Sequence, residues 1–160
     1  MHYVDKQTWL GSVDVKSTPV YFYVQRSEAY HGGNPLPFHR ERLNIGGAMN
    51  LSSGKFTAPK PGRYFFSFSG VAIFEHKTGY FDVALYLNGN IIGYGEANTA
   101  GSGDMGNDDY ETCTLQSVLH LVKGEQVWLG ISAQDNSWLQ DSVNIPYSHF
   151  TGMLLEEDIF

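Results

Sequence analysis

Six histidines, one thiol and a scatter of carboxylates are the groups in this chain with the chemistry for catalysis or metal binding. His2, His31, His39, His76, His120 and His149 form no His-x-His pair and no His-Glu-x-x-His, so the spacing of a zinc site is missing. His120 and His149 fall within strand-like runs and read as surface or interface histidines. No Gly-x-Ser-x-Gly elbow and no phosphate-cradling glycine loop occurs. The chain is not expected to be an enzyme. The one cysteine, Cys113, has no internal disulfide partner. It shares a strand face with Leu115, which reads as a small buried hydrophobe, with an interchain disulfide or a reactive thiol as the other reading.

Two polar segments hold ligand-binding chemistry. Asn98 to Glu111 carries four acids (Asp104, Asp108, Asp109, Glu111) and two amides (Asn98, Asn107). Calcium takes six to eight oxygens from such groups in flexible loops. The spacing is not that of an EF-hand, and a solvated acidic loop accounts for the same residues. Asp135-Asn136-Ser137-Trp138-Leu139-Gln140-Asp141 is the second. Trp138 among Asp135, Asn136 and Asp141 makes either a sugar-stacking platform or a ring packed under its own loop. Asn50-Leu51-Ser52 is an N-glycosylation triplet, a weak pointer to secretion.

Strands must position these groups. Pro19 to Gln25 is a first strand, apolar on both faces, so it is either central or covered by another subunit. Phe56-Thr-Ala-Pro-Lys-Pro-Gly-Arg-Tyr-Phe-Phe-Ser-Phe68 places Tyr64, Phe66 and Phe68 on one sheet face by period two. Pro59 and Pro61 fix a corner before it, because neither donates to a ladder. Residues 80–87 and 91–96 flank Asn88-Gly89, the strongest short hairpin signal. Thr112–Val122, Gln126–Ser132 and Ser148–Leu155 complete nine or ten strands. Polar loops are expected at 27–37, 97–109 and 134–146, and no helix is expected. The fold class is all-β, an antiparallel two-sheet sandwich.

Composition narrows the partners. Charged residues are only 17% of the 160, hydrophobic ones 42%, which suits one globular domain with a sizeable core. A net charge of −7 without a basic cluster disfavours nucleic acid and anionic membranes. No apolar run reaches membrane-spanning length. Residues 1–18 read as a tail or adapter strand and 19–160 as the globular domain. Val20–Val24, Phe81 and the closing strand carry more apolar surface than one sandwich hides. The ten tyrosines suit a subunit interface.

The aromatic segment also resembles the signature of the globular C1q domain. Phe38, Asn44, Phe56, Gly62, Tyr64, Phe66 and Phe68 fall at that family's spacing, and Met49 stands where a larger ring or Leu is usual. Ser148–Leu155 and Gln126–Leu129 resemble the family's last and penultimate strands. The resemblance implies jelly-roll wiring, a homotrimer, and secretion with a leader removed, since Met1–Asp5 lacks a leader's apolar core. With no collagen-like Gly-X-Y run, it implies a head-only member. It also implies calcium near the trimer apex, with Glu96 and Glu111 best aligned to the family's acids and Asp109 beside them. The function so implied is lectin-like recognition of glycan or microbial surface ligands in innate defence, made strong by multivalency. A signalling or matrix-organising trimer that docks a protein receptor is the alternative.

Overall fold

The computed structural model describes residues 18–75, 78–99 and 108–159. The tail expected at 1–18, apart from Thr18, lies outside them, as do His2, His76, Asp104 and Asn107.

Among the described residues eleven strands follow in order: β1 (Tyr21–Gln25), β2 (Arg40–Ile45), β3 (Met49–Asn50), β4 (Lys55–Thr57), β5 (Gly62–Phe74), β6 (Tyr80–Leu87), β7 (Asn90–Asn98), β8 (Asp109–Leu121), β9 (Gln126–Asp135), β10 (Ser137–Leu139) and β11 (His149–Glu157). They pair antiparallel into two sheets. In the first, which we call the front sheet, β8 lines one side of β5 along its whole length. β11 and then β10 share the other side of β5, followed by β1 and β2. The second, the back sheet, runs β3-β4-β9-β6-β7. The expected all-β, two-sheet jelly-roll is the observed architecture.

Alternation makes the core. Phe22, Phe56, Tyr64, Phe66 and Phe150 meet between the sheets with ring centroids 5.1–5.5 Å apart for Phe22–Phe150, Phe56–Phe66, Phe56–Tyr64 and Phe22–Phe56. Tilted and edge-on pairs of this kind add to the gain from burial itself. Phe38 stacks on Phe150 at 5.7 Å, and Met49 is buried in the same cluster. Asn44 closes the β2–β3 turn, donating Nδ2–H to Met49 O (2.8 Å) and accepting Met49 N–H on Oδ1 (3.3 Å). The spaced residues of the signature are therefore scaffold.

The Pro59–Pro61 corner carries the chain from the back sheet to the front one. Tyr64 Oη donates across it to Lys60 O at 2.7 Å. Glycine is needed at two close approaches: a Cβ on Gly62 would lie 2.2 Å from Glu156 O, and one on Gly152 would lie 2.2 Å from the Phe22 ring. Asn88 (φ 50°) and Gly89 (φ 93°) form the expected hairpin turn.

Two expectations change, and a third gains detail. The polar loop at 134–146 begins as strand: β9 continues to Asp135, and β10 pairs Ser137–Leu139 with Phe74–Ala72. The reversal between them is set at Asn136 (φ 48°), a residue that tolerates this left-handed state. Phe81 is fully buried, so its ring belongs to the core and not to an interface. Loop 27–37 joins the two sheets: Tyr30 bridges Leu139 of β10, while Leu36 N–H and Ile131 N–H tie the loop to β9.

Candidate functional site

The outer face of the front sheet carries an unbroken apolar row. Register places Ile45 of β2 beside Tyr21 of β1, Tyr21 beside Met153 of β11, Met153 beside Phe65 of β5, and Phe65 beside Val118 of β8. Within the single chain Ile45, Tyr21, Met153 and Val118 remain 40, 37, 37 and 60% exposed. Leu43 and Leu155 extend the patch. Every one of these side chains sits at the phase of its strand that normally faces water. That misplacement is the signal for the row, and the sequence reading found it only in β1 and β11.

A polar network borders the row. Tyr23 Oη and His149 Nδ1 lie 2.6 Å apart, and Gln25 Nε2 donates to Tyr23 Oη (3.1 Å). Arg42 Nε donates to Gln25 Oε1 (2.8 Å). An apolar centre with a polar rim is the anatomy of a protein interface. His149 is accordingly placed where the sequence put it, on a surface suited to contact.

A second apolar patch lies at the open edge of the sandwich between β7 and β8. It is a groove of about 340 Å³ lined by Leu85, Leu87, Ile92, Tyr94, Leu115 and Leu119 among others. Two different apolar patches on one chain suit a heterologous contact, which closes into a ring when the rotation permits.

The loop end distributes its residues differently from the sequence reading. Asp135 and Asn136 are exposed at the β9–β10 turn. Trp138 is half-buried on β10 and stacks on His31 at 5.4 Å. Gln134 Nε2 holds this pair in place by donating to His31 O. Asp141 is a correction: it is buried and unavailable to a ligand. Its Oδ1 accepts Tyr147 N–H and Ser148 N–H, both at 2.7 Å, and its Oδ2 accepts Ser148 Oγ–H at 2.7 Å. Arg26, equally buried, sets Nε 4.0 Å from Asp141 Oδ2. The guanidinium also donates to Pro37 O and Glu28 O and lies over the Tyr30 ring. Burial pushes the Arg26 guanidinium below its ordinary value, with Asp141 opposing. The pair ties together three segments distant in sequence.

The acids lie on two neighbouring strands. Glu96 is on β7 of the back sheet and accepts Asn98 Nδ2–H at 2.8 Å. Asp109 and Glu111 start β8 of the front sheet, opposite Phe74 and Ala72. Among the described residues, no three His, Cys, Asp or Glu side chains gather as a metal shell would require. Glu96 thus lies near the end of β7 and Asp109 and Glu111 at the start of β8, on either side of the segment that joins the two strands.

The acid that Glu96 does face is Asp82, across the β6–β7 pair. Asp82 Oδ1 is buried and has no hydrogen-bond partner among the described residues. Burial first, then the Glu96 charge, raises the Asp82 pKa. A carboxyl whose folded pKa is raised stabilises the fold below its unfolded pKa, near 3.8. That contribution is lost as pH climbs through the folded value. Asp82→Asn should therefore raise the melting temperature modestly at pH 7. The gain should shrink as pH falls through the carboxylate range, and a loss of stability at pH 7 would contradict it.

Cys113 is buried, and its Sγ donates to Gly95 O at 3.2 Å. Burial pushes the thiol up to about 11. It is therefore kept protonated and packed, as the first of the two sequence readings has it.

The C1q domain family matches residues 21–155, by the description "C1q domain". The chain belongs to the C1q domain family. Caprin-2 of Danio rerio is 32% identical over 127 residues, covering 78% of this chain and 12% of that protein. Complement C1q tumor necrosis factor-related protein 2 of Mus musculus is 32% identical over 125 residues, covering 78% of this chain and 38% of that protein. The chain thus spans well under half the length of these curated relatives. Among solved structures, the globular domain of zebrafish complement 1qA protein shares 20% identity at a TM-score of 0.65, covering 87% of this chain and 99% of that one. Eiger TNF from S. frugiperda shares 11% at 0.65, covering 90% and 97%. Both share the fold. C1q/TNF-family domains are non-enzymatic ligand-binding or signalling modules that form trimers. No helix among the described residues of this C1q domain is long and apolar enough to cross a membrane.

Proposed function

We propose that this C1q domain is the recognition head of a secreted homotrimer that binds glycan or microbial surface ligands in innate defence. The apolar row Ile45–Tyr21–Met153–Phe65–Val118 is the observation that carries the reading. A single chain leaves it open to water, and a second copy offers the β7–β8 groove to cover it. Three copies would then present three equal loop ends, and weak sites repeated three times gain strength by effective concentration.

Asp135, Asn136 and Trp138 supply the ligand platform in this reading, with His31 stacked behind the indole. Asp141 supports the loop from beneath. Calcium assistance through Glu96, Asp109 and Glu111 would need further oxygen ligands, because calcium takes six to eight. The second reading, a signalling or matrix-organising trimer that docks a protein receptor, is favoured by the exposed tyrosines Tyr80 and Tyr110 and by the half-buried state of Trp138.

A glycan array probed with the trimer, in calcium and in chelator, separates these. The lectin reading expects a defined set of glycans, with binding reduced at least tenfold by Trp138→Ala while the fold is kept. Calcium assistance expects that binding to weaken in chelator. An array with no binders, together with protease-sensitive binding to cells, would overturn the lectin reading in favour of the receptor one.

A further inference from the structure

We propose that Asn50 is an N-glycosylation site whose glycan stands on the outer face of the back sheet, at its β3 edge. The proposal rests on the secretion part of the reading above, because the transferring enzyme acts in the secretory pathway.

Asn50-Leu51-Ser52 is the only Asn-x-Ser/Thr triplet with a non-proline middle residue in the 160 residues. A triplet by itself is common, so its setting decides. Asn50 is exposed, and residues 51–54 form the turn that follows β3. Asn50 Oδ1 accepts Ser52 Oγ–H at 2.9 Å and Ser53 N–H at 3.1 Å. Both bonds fall on the oxygen, and no acceptor among the described residues takes the Nδ2 hydrogens. The nitrogen that would carry the sugar is therefore presented outward, with the triplet's own hydroxyl on the amide oxygen.

Register fixes the direction. Met49 pairs with Phe56 and both are buried; Asn50 pairs with Lys55. Period two turns Asn50 and Lys55 away from the core, and Lys55 lies over the Trp128 ring on that outer side. In the back-sheet order β3-β4-β9-β6-β7, β3 is the edge opposite β7. A glycan there clears the β7–β8 groove and the outer face of the front sheet, so it is compatible with ring assembly.

The donor is a lipid-linked oligosaccharide diphosphate. A bond forms between Asn50 Nδ2 and the anomeric carbon, the bond from that carbon to the diphosphate oxygen breaks, the amide gives up one proton, and the lipid diphosphate leaves.

The test expresses the full chain behind an added cleavable leader in cultured animal cells, so that entry into the secretory pathway does not depend on the protein's own targeting. Chain from the medium and from the lumenal fraction is treated with peptide-N-glycosidase and its Asn50 peptide is read by mass spectrometry. The expected result is one mobility step, conversion of Asn50 to Asp on release, loss of both in Asn50→Gln and Ser52→Ala, and retention in Ser52→Thr. Glycosylated protein and Asn50→Gln should contain the same number of chains per assembly once the glycan's own mass is subtracted. Unmodified Asn50 in folded lumenal chain would overturn the site, and a glycan that changes the number of chains per assembly would overturn its placement. Failure of the untagged natural protein to be secreted would count against the secretion reading alone.

Discussion

Asp141→Ala should lower stability by about 3–5 kcal/mol, the usual cost of removing one partner from a buried ion pair. The substitution leaves the Arg26 guanidinium buried without its countercharge. It also strips the acceptor from Tyr147 N–H, Ser148 N–H and Ser148 Oγ–H, and each buried donor left without a partner costs about 1–3 kcal/mol unless water reaches it. For a domain of this size, about 1 kcal/mol shifts the melting temperature by roughly 2–4 °C. The drop should thus be on the order of 6–20 °C, measured at one protein concentration so that assembly does not confound it. The double variant Arg26→Met/Asp141→Leu should recover only the part due to the stranded charge, since a leucine accepts none of the three hydrogen bonds made to Asp141. A fall of under about 1 kcal/mol for Asp141→Ala would show that this carboxylate is solvated, and would return Asp141 to the candidate ligand residues.

Met153→Asp should dissolve the assembly and leave the subunit folded. Met153 is at the centre of the apolar row, between Tyr21 and Phe65, and its side chain makes no part of the core. Burying such a side chain is worth about 1.5–3 kcal/mol, and an unpaired carboxylate buried in its place costs more again. Association should weaken by at least about a hundredfold, equivalent to about 2.8 kcal/mol. Sedimentation should show a shift towards the single chain at micromolar concentration, with the circular dichroism spectrum of the strands unchanged. Val118→Asp, on β8 at the other end of the row, should act in the same direction. Full retention of assembly in both variants would place the subunit contact elsewhere on the molecule.

The frame of this molecule is legible in its sequence because the information is local. Tyr64, Phe66 and Phe68 alternate with outward residues, so period two alone assigns their face. Asn88-Gly89 names its own turn. The double-sided apolarity of Tyr21–Val24 also has a local reading, and the structure supplies both halves: Phe22 and Val24 face the core, while Tyr21 faces outward. The loop end is harder because its order comes from contacts distant in sequence. Nothing near Asp141 says that Arg26 will be buried beside it, and without that cation a carboxylate in a polar stretch reads as exposed. Trp138 has the same difficulty, since its stacking partner His31 arrives from the loop between β1 and β2. Phe81 counts as excess apolar surface only while the strand order is unknown: β6 lies inside the back sheet between β9 and β7, and the Phe81 ring is fully covered by the core. The acids of the 96–111 region share a stretch of sequence but leave it on two different sheets, which proximity along the chain does not reveal.

The claim on which the functional account depends is that the outer face of the front sheet is covered by another copy of the chain. The most direct test is the absolute mass of the purified protein in solution, by sedimentation equilibrium or light scattering across a concentration series. The account predicts a closed species at three times the 17.9 kDa chain mass, converted to single chains by Met153→Asp. A protein that stays at one chain mass up to tens of micromolar, with its melting temperature independent of concentration, would contradict it.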